Sequence, residues 1–489
     1  MQGKEQKVFK NLAFGVKAMY KFDDGQISID EFEQPIGMHL KAENRWVKKA
    51  IVIPWGTIER RYAKLFTNQK GNVAKPLRLA LGACILQAEY GFSDEETALQ
   101  IQETAYLQYF CGYKKYDDSK PPFDASLMVY FRKRLTPEIL GEINEMILQE
   151  QTAQRREDDD DKDDSNHGTM IVDATCAPSQ IKYPQDTALL NEARELSEKL
   201  IDALHTPGET KPRTYRKQAH KDYLSLAKSR KPTAKKIRKA IGKQLCYLRR
   251  NLEHLRTMQS QQHTLSKKQQ SQLTTIQKLY EQQKFMYDNH CHSVADRIVS
   301  LSQPYLRPIV RGKAKAAVEF GAKLDISVCD GWTRLEVLSF DAYNEATTLQ
   351  ETIERYHLRT GCYPVRVLAD KIYRNRDNLA FCKEHGIRLS GPALGRPKKD
   401  ELVDKKQNYK DECERVEVER RFSLAKRKCG MGLITARLAQ TARHSIAMSI
   451  LVLNLRKIQC ALFEKMYFGH FVCAFFTRGF LPRKLMFVQ

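Results

Sequence analysis

The chain has 489 residues, with 82 Lys and Arg against 59 Asp and Glu, a formal charge of +23 and 42% hydrophobic residues. That is enough apolar material to build cores in two or three domains, so a disordered basic tail is excluded, and the charge points to a polyanionic partner. No run approaches the ~18 apolar residues of a membrane span, and the opening residues lack the apolar stretch and cleavage site of a signal peptide.

The first 155 residues read as a mainly helical domain, with helices beginning after about residue 55. Pro76 to Tyr90 is apolar on most faces, as in a buried helix, and Gly91 can stop it. Ser93 and Glu96 have the spacing of a capping box ahead of a helix carrying Leu99, Ile101 and Leu107. Thr136-Pro137 supplies a cap and a first-turn proline for another helix. The basic edge Arg132-Lys133-Arg134 suits DNA binding or dimerisation, and a plain helical subdomain is the competing reading. Residues 156–168 form a linker, because Glu157 to Asp164 holds seven acids and one Lys, and dense like charges repel.

The region 169–463 reads as an α/β domain. Thr169 to Thr175 is a short β-branched strand that ends near Asp173. It is interrupted at 186–300 by an all-helical insertion that opens with Leu189, Leu190, Ala193, Leu196, Leu200, Ile201 and Leu204 at helical spacing. Lys211 to Arg256 within it holds 16 Lys and Arg but only two acids, Asp222 and Glu253. Lys235, Lys236, Arg238, Lys239, Arg249 and Arg250 are its candidate DNA-backbone contacts, among Tyr215, Tyr223 and Tyr247. A solvated helical face or a dimer coil would have the same composition. Strands resume near Val318 as a hairpin around Asp330-Gly331. A helix near Thr347 follows, then a strand Val365 to Asp370, a helix Asp377 to Glu384 and a strand Ile387 to Ser390. The chain then reads helical from about Glu412 to Phe463, leaving an aromatic tail at 464–489. The fold expected is a mixed sheet flanked by helices.

Asp173 and Asp370 both stand at strand ends, where α/β folds commonly place active sites. Arg415, Glu419, Phe422 and Lys426 form one stripe of a helix at 3.6 residues per turn. Breaking a phosphodiester in line calls for hard cations about 4 Å apart on the attacking and leaving oxygens, held by carboxylates, with Arg and Lys on the phosphate. Turn-capping is the ordinary use of such aspartates.

These residues resemble the bacterial insertion-sequence transposases of the DDE class, in the branch whose third motif is Y-(2)-R-(3)-E-(6)-K. Arg415, Glu419 and Lys426 match its R-(3)-E-(6)-K part, with Glu412 at the Tyr position. Val172-Asp-Ala-Thr175 looks like the first-Asp motif, and Ala369-Asp-Lys-Ile-Tyr-Arg374 like the second, with Ile372 replacing the usual Gly. Tyr106 to Phe110, Pro122 to Arg134, Tyr183 to Thr187 and Leu189 to Arg194 are also similar, so the likeness covers roughly residues 45 to 455. It implies an RNase H-like core and a two-stage reaction on double-stranded DNA. Water releases a 3′-hydroxyl at the element's end, and that hydroxyl then attacks target DNA. It also implies two Mg2+ ions, with Mn2+ as a substitute, held by Asp173, Asp370 and Glu419. Arg415 and Lys426 are then phosphate contacts, with Lys371 and Arg374 as weaker ones. A homodimer on DNA in the bacterial cytoplasm, at the nucleoid, is the implied setting. Two rivals stand beside this reading: a metal nuclease that cuts without joining, and an inactive copy that binds element ends. The scattered cysteines, with no C-x-x-C pair, fit reduced cytosolic thiols. His290-Cys291-His292 has no second ligand pair at zinc spacing.

Overall fold

Helices α1 (Arg45–Val52), α2 (Trp55–Ala63), α3 (Leu77–Tyr90), α4 (Asp94–Glu103), α5 (Ala105–Phe110), α6 (Leu127–Arg134) and α7 (Pro137–Arg156) precede the first strand in the computed structural model. It describes residues 20–477 except 24–25, 35–36, 67–72, 157–165, 262–263, 314–315 and 392–404. The acidic run Glu157 to Asp164, the opening residues and the end of the aromatic tail therefore lie outside the described residues. Helix α1 begins ten residues before the sequence expectation, because the Asn44 side chain accepts the Trp46 N–H at 2.8 Å and so starts the helix. Every residue of α3 from Leu77 to Leu86 is buried, and Gly91 closes it in the left-handed region at φ +74°. Ser93 caps α4 through the Glu96 N–H at 3.0 Å, but the reciprocal half of the box is replaced by a Gln100 bond to the Glu96 carboxylate. Leu99 faces outward at 44% exposure, and a break at Thr104 separates α4 from α5.

The sheet contains β1 (Thr169–Pro178), β2 (Arg307–Lys313), β3 (Ala316–Cys329), β4 (Trp332–Ser339), β5 (Arg366–Leu368) and β6 (Arg388–Leu389). Its order is β2-β3-β1-β5-β6, with β4 also paired to β3. The pairings of β3 with β1, β2 and β4 are antiparallel, and those of β1 with β5 and β5 with β6 are parallel. The two-residue loop of the β3–β4 hairpin has positive φ at both Asp330 (52°) and Gly331 (72°), which matches the right-handed twist of the strands. Gly321 is required for a different reason: a Cβ there would lie 2.0 Å from the Ala177 carbonyl oxygen on β1. The sequence reading missed β2. Arg307, Arg311 and Lys313 break its apolar alternation, a composition an edge strand tolerates because only one side is paired.

Between β1 and β2 the insertion folds as α8 (Asp186–Leu204), α9 (Arg216–Ala227), α10 (Ala234–Ser260) and α11 (Lys267–Asp288). Leu190, Ile201, Leu248, Leu255, Ile276 and Leu279 form its own core. After β4, a 3-10 helical turn (Glu345–Thr348) leads into α12 (Leu349–Thr360), and α13 (Arg376–Glu384) separates β5 from β6.

The expected single helix after Glu412 is two helices, α14 (Lys405–Lys428) and α15 (Ala439–Thr477). The break follows from Gly430, at φ +81°, and from Gly432, where a Cβ would sit 2.5 Å from the Lys426 carbonyl. Between them the chain crosses the end of β1, with the Ile434 N–H on the Pro178 carbonyl at 2.8 Å. The opening statement about membrane spans also needs correction. Ala439–Leu462 of α15 is long and apolar enough to cross a membrane by length and composition. In this protein it is a mostly buried core helix, packing on α3, α6, α7 and β4. Asn454 ties three of these elements together: it accepts from the Thr333 N–H at 3.0 Å and donates to Asn144 at 2.8 Å and to the Thr333 carbonyl at 2.7 Å.

Candidate active site

The two-residue period of a strand decides where the first two acids point. Met170 and Val172 of β1 pack in the same cluster as Val367 and Ala369, beneath α12 and α13. Ile171 and Leu368, opposite one another in the parallel register, belong to the cluster on the other face, with Val418 and Phe422 of α14. Two residues on, Asp173 and Asp370 follow Ile171 and Leu368 on that same face. Asp370 sits just past the end of β5, as expected. Asp173 does not sit at a strand end: β1 continues to Pro178, paired to β3 throughout. It lies instead just beyond the last β1–β5 pair.

Helix α14 covers this face. Its buried line is Val418, Phe422, Ala425 and Cys429, and the charged members of the expected stripe flank that line. Arg415 reaches Asp173 at 3.7 Å and Glu419 at 3.3 Å, bridging the two carboxylates. Lys426 donates to the Thr175 hydroxyl of β1 at 3.0 Å. Lys371 opens the turn after Asp370, whose carboxylate accepts the Lys371 N–H at 2.6 Å. Arg374 points elsewhere, donating through Nη1 to the Leu389 and Ser390 carbonyls at 2.6 and 2.9 Å.

Burial pushes the Asp173 carboxyl up to about 6. The Ala174 N–H, at 2.8 Å, and Arg415 oppose this, whereas Glu345 and Asp370 add to it by like-charge repulsion. Glu345 was not anticipated; it lies at the start of the turn before α12, in an ion pair with Lys323 at 2.8 Å, and no motif marks it. Asp325 was also missed, although an acid inside the apolar run of β3 is a readable signal. It is fully buried on the sheet's other face, accepts from Tyr343 and Thr348 at 2.5 Å each, and is likewise pushed up to about 6 by burial.

Among the described residues, no three His, Cys, Asp or Glu side chains are gathered closely enough to grip a metal ion. The donor chemistry nevertheless fits a hard divalent cation, since Asp173, Asp370 and Glu419 offer carboxylate oxygen only. Repulsion around Asp173 is the field that such a cation would relieve.

In the insertion, Lys235, Lys236, Lys239 and Arg249 are exposed on α10. Arg238 and Arg250 are half-buried. Arg238 stacks over Tyr287 at 4.1 Å, and Arg250 over Tyr215 at 4.5 Å with Arg213 equally distant. Arg249 lies 3.7 Å from Glu253. All six stand well apart in sequence from the acid pair, on a unit with its own core.

Residues 367–456 match the family described as Transposase DDE domain, and residues 35–134 match Transposase domain (DUF772). The two matches support a transposase of the DDE type. The first spans Asp370, Arg415, Glu419 and Lys426, while Asp173 lies outside both. The chain is also similar to a protein of Rhizobium meliloti named "Uncharacterized protein ORF8 in nfe locus", at 29% identity over 171 residues, 34% of this chain and 77% of that one. No solved structure matches the chain.

Proposed function

We propose that this protein is an insertion-sequence transposase that cleaves DNA at the element's ends and transfers the resulting 3′-hydroxyls into target DNA. The observation that carries this reading is that Asp173 in β1 and Asp370 just past β5 each follow, by two residues, the paired Ile171 and Leu368, with the Arg415–Glu419 pair laid against Asp173. The strand order supports an RNase H-like core, and the spacing of Arg415, Glu419 and Lys426 supports the Y-(2)-R-(3)-E-(6)-K branch. Asp173, Asp370 and Glu419 would hold the divalent cations, Mg2+ or Mn2+. Once bound, those cations supply Lewis-acid activation of the attacking and leaving oxygens. Arg415 orients Glu419 and neutralises Asp173. Lys426, held against Thr175, is positioned to receive a phosphate oxygen. The exposed lysines of α10 bind duplex DNA through its backbone, and a homodimer assembles the two ends in the cytoplasm.

Asp370→Asn tests the assignment. Cleavage of end DNA with Mg2+ should fall by at least about 10²–10³-fold, the range for losing a group that stabilises transition-state charge, with end binding retained. Persisting cleavage would overturn the site. A 3′-end transfer assay separates the rival enzyme: cutting without joined product identifies a nuclease.

A further inference from the structure

A second cleft opens where the N-terminal helices meet the end of α14 and the middle of α15. Its volume is about 610 Å³, and Arg45, Lys426, Arg427, Lys428 and Arg456 line it together with one acid, Glu89. Glu89 offsets only part of this charge: its buried carboxylate is shared between Lys49 and Arg456, the latter at 3.4 Å, and no other acid lines the cleft. Arg45 is exposed and braced by Tyr90, whose hydroxyl it bonds and whose ring it covers at 5.2 Å. Arg427 and Lys428 are exposed in the last turn of α14.

Cations in a last helical turn commonly complement the helix dipole and the open carbonyls, and Arg427 does bond the Ser423 carbonyl at 3.3 Å. Lys426, Arg427 and Lys428 all lie in that last turn, which accounts for three of the five. Arg45 begins α1 and Arg456 lies within α15, so three separate elements deliver like charges to one cleft. Such charges repel unless an anion lies between them. Lys426 links the cleft to β1: it lines the cleft and donates to Thr175, two residues beyond Asp173.

We infer that this cleft binds the phosphodiester backbone of duplex DNA flanking the cleavage point, clamping it between the N-terminal helices and the end of α14. The inference rests on the transposase reading and adds a gripping surface close to the acids, separate from the inserted block. Phosphate contacts of this kind position DNA without reading its sequence.

The test is fluorescence-anisotropy binding of the full chain to a labelled end duplex across a salt series. The combined variant Arg45→Gln, Arg427→Gln, Lys428→Gln should weaken binding at least tenfold. It should also reduce the slope of log K against log[salt] by about 2–3, at roughly 0.9 per phosphate contact. Arg45→Lys with Arg427→Lys, which keeps the charge, should retain the wild-type slope. A control variant neutralising the exposed Lys41, Lys120 and Lys383 should leave the slope within 1 of wild type. An unchanged slope in the cleft variant, or an equal loss in the control, overturns the cleft while leaving the transposase reading intact. A wild-type chain that binds no duplex overturns both.

Discussion

The N-terminal helices and the inserted helices have similar local structure, yet they join the sheet in opposite ways. Trp55, Leu81, Phe110 and Leu140 share one continuous cluster with Ile326 and Val328 of the sheet and with Ile446 and Leu451 of α15. The insertion buries its leucines against one another in a separate cluster. A helical unit that closes its own core can be inserted between β1 and β2 without altering the sheet, because loop-closure entropy rises slowly with length. A unit that lends its apolar face to α15 is part of the same packed body as the sheet.

Matched cavities should expose this difference most strongly. Ile446→Ala and Leu248→Ala both empty fully buried positions and should each cost about 2–5 kcal/mol. Hydrogen exchange should rise across both the N-terminal helices and the sheet for Ile446→Ala, but only within α8–α11 for Leu248→Ala. Exchange spreading into β1 or β3 from Leu248→Ala would refute the separation.

A pH scan sharpens it next. His444 of α15 is fully buried, is held down to about 4 by burial, and has its Nδ1 2.6 Å from the Leu135 carbonyl. Between the ordinary histidine value of 6.5 and about 4, the unfolded chain takes up a proton that the folded chain refuses. Stability of the shared core therefore falls as pH drops through that window, by up to about 3 kcal/mol. Urea midpoints at pH 7 and pH 5 should show it, and His444→Gln should flatten the dependence.

Asn454→Ala follows, at about 2–3 kcal/mol, because it strands buried partners on Asn144 and Thr333. Thermal melts should show this loss in the shared core alone. Smallest are the caps: Ser266→Ala and Ser93→Ala each remove a side-chain bond to a helix N-terminus, for about 1 kcal/mol. Ser266→Ala should loosen only α11, and Ser93→Ala only α4, as read by local exchange.

What could be read along the chain was whatever depends on local rules. Gly91 ended α3, Thr136-Pro137 opened α7, Asp330-Gly331 made the hairpin, and α8 ran over its apolar spacing, because each signal acts within a few residues. The charged motifs were legible for the same reason: Arg415 and Glu419 lie four residues apart on one helix and meet. The edge strand β2, the stop between α14 and α15 and the pairing of β5 with β1 beside Asp173 were not legible. Each depends on a distant neighbour: the β3 edge, the end of β1 and the short parallel β5. The apolar length of α15 likewise carries no label for its surroundings, since a buried core helix and a membrane helix satisfy the same composition. The sequence by itself determined the acids and cations and their helical or strand periodicity. Only tertiary packing decided that the strand carrying Asp173 pairs with the strand that leads into Asp370, that Arg415 meets Asp173, and that Arg45 shares a cleft with Arg427 and Lys428. Register and burial are set by contacts between segments hundreds of residues apart, which no local pattern encodes.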